Sequence, residues 1–302
     1  MKRELRDTLY TLPALLSLAH VFPQFATTFA TLTEEQEQLV NDLFNRITFQ
    51  PTERKDAFKF TTHGERGNYS PLQSLLDCIL AAQPQSHQAH CPIRIIIYDK
   101  QMADSVENEA PIKPDLLGCK PSILGEVTGK DPLRIKWSEV ELVLEVKDSW
   151  PEMLAQTAVY ARAMLNEGSR WFAPALMFNH RSKSIRFGFP SRVGLYTTTE
   201  LFLTQQADLE ILVRALWSFQ SSRASDVGID PFAPIFNSKL HFFLPCGTNG
   251  SCSWWSVEAV ITRRACVRGR APHTFQVVRV LTSEEVLANQ IANLGISRYV
   301  VA

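Results

Sequence analysis

Three charged residues, Asp115, Glu145 and Lys147, have the side-chain types that hold a metal ion and contact a phosphate group. Glu145 and Lys147 belong to the largely apolar run Val140–Lys147, which predicts a buried β-strand. Successive side chains of a strand point to opposite faces, so one face carries only apolar residues: Leu142, Leu144 and Val146. Glu145 and Lys147 share the other face with Val143, and there a charge needs a partner or a metal ion.

Asp115 lies in the sequence Lys113-Pro114-Asp115-Leu116, which we expect at the start of a neighbouring strand. Proline is tolerated at the first residue of a strand. The Asp115 carboxylate would then point into the same pocket as Glu145. Two interpretations stay open at this point, a metal-dependent site and a buried ion-pair cluster without catalytic function.

A helix is predicted directly after this strand. Ser149 is suited to its N-cap, and Glu152 completes a capping-box pattern three residues later. We expect the helix to end near Gly168. Gln156 and Tyr160 lie four residues apart and therefore on the same helix face.

An Asp, a Glu-x-Lys strand and a helix with Gln-x-x-x-Tyr together resemble the core of the PD-(D/E)XK nucleases. This resemblance implies that Asp115 and Glu145 hold Mg²⁺, a cation that prefers carboxylate oxygens. It also implies that Lys147 orients the nucleophile or stabilises the extra negative charge. Gln156 and Tyr160 would brace the pocket or contact the phosphate.

A second resemblance covers roughly residues 110–235. Four segments are similar to the region that precedes the catalytic lobe in fungal-type protein kinases: Arg170–Leu176, Ile185–Phe187, Ala215–Trp217 and Val227–Pro231. Further on, Cys266–Val277 is similar to the first glycine-rich strand pair of that family's kinase domain.

The kinase resemblance does not extend to the chemistry of phosphoryl transfer. Ala271 and Pro272 stand where a phosphate-binding loop would have glycine and a small hydroxyl residue. No V-A-I-K lysine, H-R-D loop or D-F-G segment follows before Ala302. Since the metal-binding and catalytic aspartates of a kinase come from those segments, we expect no kinase activity.

The overall composition does not favour a particular partner, because 31 basic residues balance 31 acidic ones. The six cysteines include no C-x-x-C pair, which argues against structural zinc. Without a secretory signal, they suggest reduced thiols in an intracellular protein, cytoplasmic or nuclear. Pro13, His20 and Pro23 interrupt the apolar segment at the N-terminus, so we expect no membrane partner.

A basic stretch near the C-terminus suggests nucleic acid as a partner. Between Ala259 and Ser283 there is no acidic residue, and the arginines are Arg263, Arg264, Arg268, Arg270 and Arg279. The first four are our candidates for contacts with a phosphate backbone. A solvated basic strand pair is the alternative explanation.

The elements around the central stretch are predicted from their hydrophobic periodicity. They are helices over residues 34–47, 70–82 and 208–220, and strands over 93–98, 171–178 and 184–189, with one or two short helices before residue 31. The order helix, three strands, helix, two strands predicts an α/β fold with helices flanking a mixed sheet.

We therefore expect a helical region over residues 1–69, a PD-(D/E)XK-like α/β core over 70–240, and a β-rich appendage over 241–302 that resembles the start of a kinase N-lobe. The first functional hypothesis is a regulatory or interaction module of a fungal-type kinase relative, with a protein or a kinase domain as its partner. The alternative is a Mg²⁺-dependent nuclease acting on nucleic acid.

Overall fold

The computed structural model describes residues 9–103, 112–125, 134–167, 170–230, 233, 235–236, 239–246, 251–262 and 274–279. Its largest element is an eight-stranded mixed sheet with helices on both faces. In chain order the first ten strands are β1 (Leu9–Leu12), β2 (Ile47–Thr48), β3 (Phe58–Lys59), β4 (Arg94–Ile97), β5 (Leu116–Cys119), β6 (Val140–Lys147), β7 (Ala175–Asn179), β8 (Ser184–Pro190), β9 (Leu195–Thr198) and β10 (Leu201–Phe202). The helices are α1 (Ala14–Val21), α2 (Pro23–Ala26), α3 (Glu34–Arg46), α4 (Tyr69–Ala81), α5 (Pro121–Gly125), α6 (Trp150–Glu167) and α7 (Gln206–Ser221).

The strand order of the large sheet is β1-β9-β8-β7-β6-β5-β4, and β10 pairs with β8. β4, β5 and β6 pair antiparallel, whereas β7 is parallel to β6 because α6 returns the chain to the end of the sheet at which β6 begins. β8 and β9 continue antiparallel, and β1 adds to β9 in parallel. The mixed sheet and its flanking helices confirm the predicted α/β class.

The two faces of β6 have different surroundings, as the alternation of its sequence predicts. Leu142, Leu144 and Val146 belong to the main apolar core, which also contains the buried residues of α4 and α7. Val143 packs instead with residues of α6, among them Ala161 and Met164. Because α6 covers this second face, it also covers the side chain of Glu145.

Local signals place most helix and strand boundaries within a few residues. The capping box at Thr33 is formed, since Gln36 N–H donates to Thr33 Oγ1 at 3.4 Å and Thr33 N–H donates to Gln36 Oε1 at 3.0 Å. α6 begins at Trp150, immediately after the predicted N-cap Ser149.

Two expectations need correction. The strand predicted over residues 171–178 begins only at Ala175, because Arg170 and Phe172 form isolated bridges to Ile229 and Ser191. The prediction of one or two short helices before residue 31 is confirmed by α1 and α2, but it omits β1, an edge strand of the large sheet.

A separate four-stranded antiparallel sheet follows the core. Its strands are β11 (Ile235–Phe236), β12 (Lys239–Cys246), β13 (Ser251–Thr262) and β14 (Thr274–Arg279). This sheet lies largely in the region predicted to be β-rich. Among the described residues, every helix is too short or too polar to span a lipid bilayer.

Candidate functional site

The predicted residues come together where the ends of four adjacent strands, β4 to β7, lie side by side at one end of the large sheet. β6 ends at Lys147, and the antiparallel β5 begins beside it, directly after Asp115. β4 ends next to the start of β5, and β7 ends at Asn179, which pairs with Lys147. The chain segments around Asp115, Glu145 and Lys147 are therefore adjacent because of the sheet topology.

Asp115 is held on both of its carboxylate oxygens. Its Oδ2 accepts the backbone N–H of Val146 at 2.8 Å, and its Oδ1 accepts the hydroxyl of Tyr69, the first residue of α4. The side chain is almost fully buried. Burial raises the pKa of Asp115, while the hydrogen bonds from Tyr69 and Val146 and the charge of Lys147 oppose that rise.

Glu145 has a similar tyrosine partner on the other side of the cluster. The Tyr160 hydroxyl on α6 donates to Glu145 Oε2 at 2.8 Å and also lies 3.1 Å from the carbonyl oxygen of Lys113. Burial and the charge of Asp115 raise the pKa of Glu145 to about 8. Burial and Glu145 raise the pKa of Tyr160 far above its ordinary value, so its hydroxyl remains a donor.

Lys147 connects the buried carboxylates to the surface. Its Nζ lies 3.3 Å from Glu145 Oε1 and 2.7 Å from Glu65 Oε2. Glu65 precedes a short 3-10 turn that leads into α4, and 38% of its side chain is exposed, against 15% for Lys147. Burial alone would lower the pKa of Lys147, but the hydrogen bond to Glu65 and the surrounding carboxylates outweigh burial and raise it.

The charges of this cluster do not balance. Among the described residues, Glu65, Asp115 and Glu145 are three carboxylates around the ammonium of Lys147, which gives a formal charge of −2 when all three are ionised. Burial and the repulsion between neighbouring carboxylates together raise the pKa values of Asp115 and Glu145. A cluster that only stabilises the fold would be expected to pair its charges.

The same strand carries a second buried carboxylate, Glu141, which has two cationic partners. Glu141 accepts from Arg170 Nη2 at 3.0 Å and lies 3.4 Å from Lys120 Nζ. Although burial acts to raise the pKa of Glu141, Arg170 and Lys120 outweigh it, and the pKa is lowered. Glu141 is therefore an ionised member of an ion pair, in contrast to Glu145.

Gln156 lies one helical turn before Tyr160 on α6. Its Oε1 is buried and accepts no hydrogen bond. Such an atom is expected to have a donor, so Gln156 has spare capacity to bind a water molecule or a ligand beside the cluster.

The remaining sequence-predicted site residues, Arg263, Arg264, Arg268 and Arg270, lie outside the described residues. The structure thus places Asp115, Glu145, Lys147 and Tyr160 in one cluster and Gln156 on the helix face next to it. It adds two residues that sequence reasoning missed.

The missed residues are Glu65 and Tyr69. Glu65 lies in a polar stretch that predicts only a loop, and it contacts a lysine 82 positions later. Tyr69 precedes the Ser70-Pro71 helix start and has the apolar character of an ordinary core residue. Neither position carries a local signal, because each acquires its contact from the packing of α4 against the sheet edge.

In the part of the chain that the structure describes, no group of three or more His, Cys, Asp or Glu side chains is arranged to hold one metal ion. Comparisons with protein-family models, with curated proteins and with solved structures found no match to this chain.

Proposed function

We propose that the α/β core hydrolyses phosphodiester bonds in nucleic acid with the help of Mg²⁺. The observation that supports this proposal is the convergence of Asp115, Glu145 and Lys147, where burial and neighbouring carboxylates raise the pKa of both buried acidic groups. Perturbed carboxylates with a neighbouring lysine are typical of functional sites. The contrast with the paired Glu141 cluster in the same strand supports a functional explanation further.

Asp115 and Glu145 would hold the cation, since one divalent ion would offset the formal charge of −2 and relieve their mutual repulsion. Two carboxylates suit Mg²⁺, which usually keeps several water ligands. When bound, Mg²⁺ would lower the pKa of a coordinated water and offset charge on the phosphodiester.

The side chains of the protein would orient the reacting groups. Tyr69 and Tyr160 each donate a hydrogen bond to one carboxylate and so fix its direction. Lys147 presents its ammonium between Glu145 and the surface, where it would stabilise negative charge on the phosphate. In the order α4, β4, β5, α5, β6, α6, β7, the Asp, the Glu-x-Lys strand and the Gln-x-x-x-Tyr helix follow one another, which supports the proposal.

The decisive experiment measures Mg²⁺-dependent cleavage of single- and double-stranded DNA and RNA by the wild type and by Glu145→Gln. We expect cleavage by the wild type only. Thermal unfolding supplies an independent measurement, because Mg²⁺ should raise the melting temperature of the wild type by mass action and leave Glu145→Gln unchanged. A wild type that neither cleaves nor responds to Mg²⁺ would disprove the proposal.

A second candidate function is a regulatory or interaction module without catalysis, in a relative of the fungal-type protein kinases. The observation that favours it is the burial of the two carboxylates. Asp115 is 5% and Glu145 2% exposed, and each accepts a hydrogen bond from a tyrosine hydroxyl. In this case Mg²⁺ should leave the melting temperature unchanged. Lys147→Met should cost about 3–5 kcal/mol, because it leaves buried carboxylates without their cation.

A further inference from the structure

Two exposed arginine–aspartate pairs lie at the same sheet edge as the candidate site. Arg66 Nη2 lies 3.0 Å from Asp99 Oδ2, and the arginine side chain is 82% exposed. Arg181 Nη2 lies 3.0 Å from Asp148 Oδ2, and that arginine is 76% exposed. Each guanidinium therefore has most of its surface available to a ligand.

The first pair is joined to the Asp115 side of the site. Arg66 directly follows Glu65, whose carboxylate contacts Lys147. The backbone N–H of Asp99 donates to the carbonyl of Pro114 at 3.0 Å, and it lies 3.4 Å from that of Asp115. Asp99 has a φ of 36°, a left-handed conformation that is uncommon outside glycine. The local backbone thus holds Asp99, and through it Arg66, beside Asp115.

The second pair is joined to the opposite side of the site. Asp148 directly follows Lys147, and the N–H of His180 donates to the Lys147 carbonyl at 3.1 Å. Asn179 Oδ1 accepts the N–H of Arg181 at 3.0 Å, which orients the turn after β7. Arg181 therefore lies on the β7 side of β6, whereas Arg66 lies on the β5 side.

We infer that Arg66 and Arg181 bind backbone phosphates on either side of the phosphate that reacts, and that the substrate is a polynucleotide rather than a small phosphate ester. This inference depends on the proposed function. Asp99, the partner of Arg66, follows β4, and Arg181 follows β7; these strands are separated by three strand spacings, about 14 Å. A nucleic-acid strand rises about 3.4 Å per nucleotide, so only a chain of several phosphates reaches both arginines.

Guanidinium groups suit this role because they form two parallel hydrogen bonds to a phosphate. The aspartates would hold each arginine in place before the substrate arrives. Backbone contacts of this kind carry no sequence information, so the binding should be insensitive to base sequence.

The test measures the affinity of labelled 20-nucleotide single strands and duplexes by fluorescence anisotropy, with Ca²⁺ in place of Mg²⁺. The variants are Arg66→Ala and Arg181→Ala. The matched control is Arg54→Ala, since Arg54 forms the same kind of exposed pair with Asp56 at 2.8 Å but donates to the carbonyl of Asn45 on α3. Each test variant should weaken binding by roughly tenfold, equally for different sequences.

Two further measurements, of salt dependence and of dinucleotide binding, complete the test. The dependence of log affinity on log salt should become shallower by about 0.7–0.9 in each test variant, and Arg54→Ala should keep the slope of the wild type. A dinucleotide, too short to reach either arginine from the reacting phosphate, should bind all four proteins equally.

The inference is overturned if the wild type binds no oligonucleotide, if Arg54→Ala loses as much affinity as the two test variants, or if the dinucleotide is weakened as strongly as the longer strands. If binding behaves as expected but Mg²⁺ supports no cleavage, the proposed catalytic function fails and the phosphate-binding inference remains supported.

Discussion

Glu141 and Glu145 are identical side chains on one strand, but their pKa values shift in opposite directions. Both are almost fully buried, and burial acts to raise the pKa of both carboxyl groups. Glu141 meets Arg170 and Lys120, which lower its pKa below the ordinary value. At Glu145, burial and the charge of Asp115 outweigh Lys147, and the pKa rises to about 8. The same substitution at the two positions should therefore have opposite consequences.

Glu145→Gln should remove a pH-dependent destabilisation. The folded pKa of Glu145, about 8, exceeds the ordinary 4.5, so its stabilising contribution is complete below pH 4.5 and is lost as the pH rises through 8. In EDTA, the free energy of unfolding of the wild type should fall over this range, and that of Glu145→Gln should fall less. We expect the variant to exceed the wild type by roughly 1–2 kcal/mol at pH 8.5.

Urea unfolding at pH 5.5, 7 and 8.5 measures this difference. Mg²⁺ should reduce the loss for the wild type at high pH, because ionised carboxylates bind the cation. Identical pH profiles for the two proteins in EDTA would contradict the raised pKa of Glu145.

Glu141→Gln should destabilise the protein at every pH in this range. The substitution leaves the charge of Arg170 buried without its counter-ion, at a cost of about 3 kcal/mol. Mg²⁺ should not restore this loss, since Glu141 is outside the proposed cation site. Chemical unfolding with and without Mg²⁺ tests both expectations. A free energy of unfolding close to that of the wild type would show that the Arg170 pair is not a structural ion pair.

At the level of elements, the sequence predicts the parts of the site that lie on one strand or one helix. Period-two alternation predicts the shared face of Glu145 and Lys147, and the four-residue spacing predicts that Gln156 and Tyr160 lie together. The contact of Tyr69 with Asp115 spans 46 positions and depends on how α4 packs. β1 escaped prediction because a strand of four residues before Pro13 is too short to show a period.

Two glycines near the ends of elements should differ in their tolerance of alanine. Gly64 and Gly228 both have positive φ, 79° and 91°. A Cβ at Gly228 would lie 2.3 Å from the carbonyl oxygen of Phe172, whereas a Cβ at Gly64 would meet no atom within 4 Å. We expect Gly64→Ala to cost about 1 kcal/mol and Gly228→Ala at least about 3 kcal/mol.

Thermal and urea unfolding of both variants tests this difference. Gly64→Ala carries the conformational cost alone and so serves as the control for the steric clash. Equal losses of stability would show that the contact between residues 228 and 172 relaxes without cost.

At the level of the whole molecule, the segment Cys266–Val277, which resembles a glycine-rich strand pair of kinases, lies outside the described residues except for 274–277 in β14. We expect the 302-residue polypeptide to transfer no phosphate from ATP, since the V-A-I-K, H-R-D and D-F-G segments are missing from its sequence. Incubation with radiolabelled ATP and a generic protein substrate measures this. Label transfer that Gly269→Val abolishes would contradict it.

The parallel pairing of β1 with β9 also has a consequence for how the chain is made. Thr11 bonds to Thr197, 186 positions later. At about 5–20 residues per second, the ribosome needs roughly 10–40 s to synthesise the segment between them. Residues 8–33 contain no Asp, Glu, Lys or Arg, so the nascent chain carries an uncharged, largely apolar segment during this interval. β1 can therefore join the sheet only after the chain has been made as far as β9.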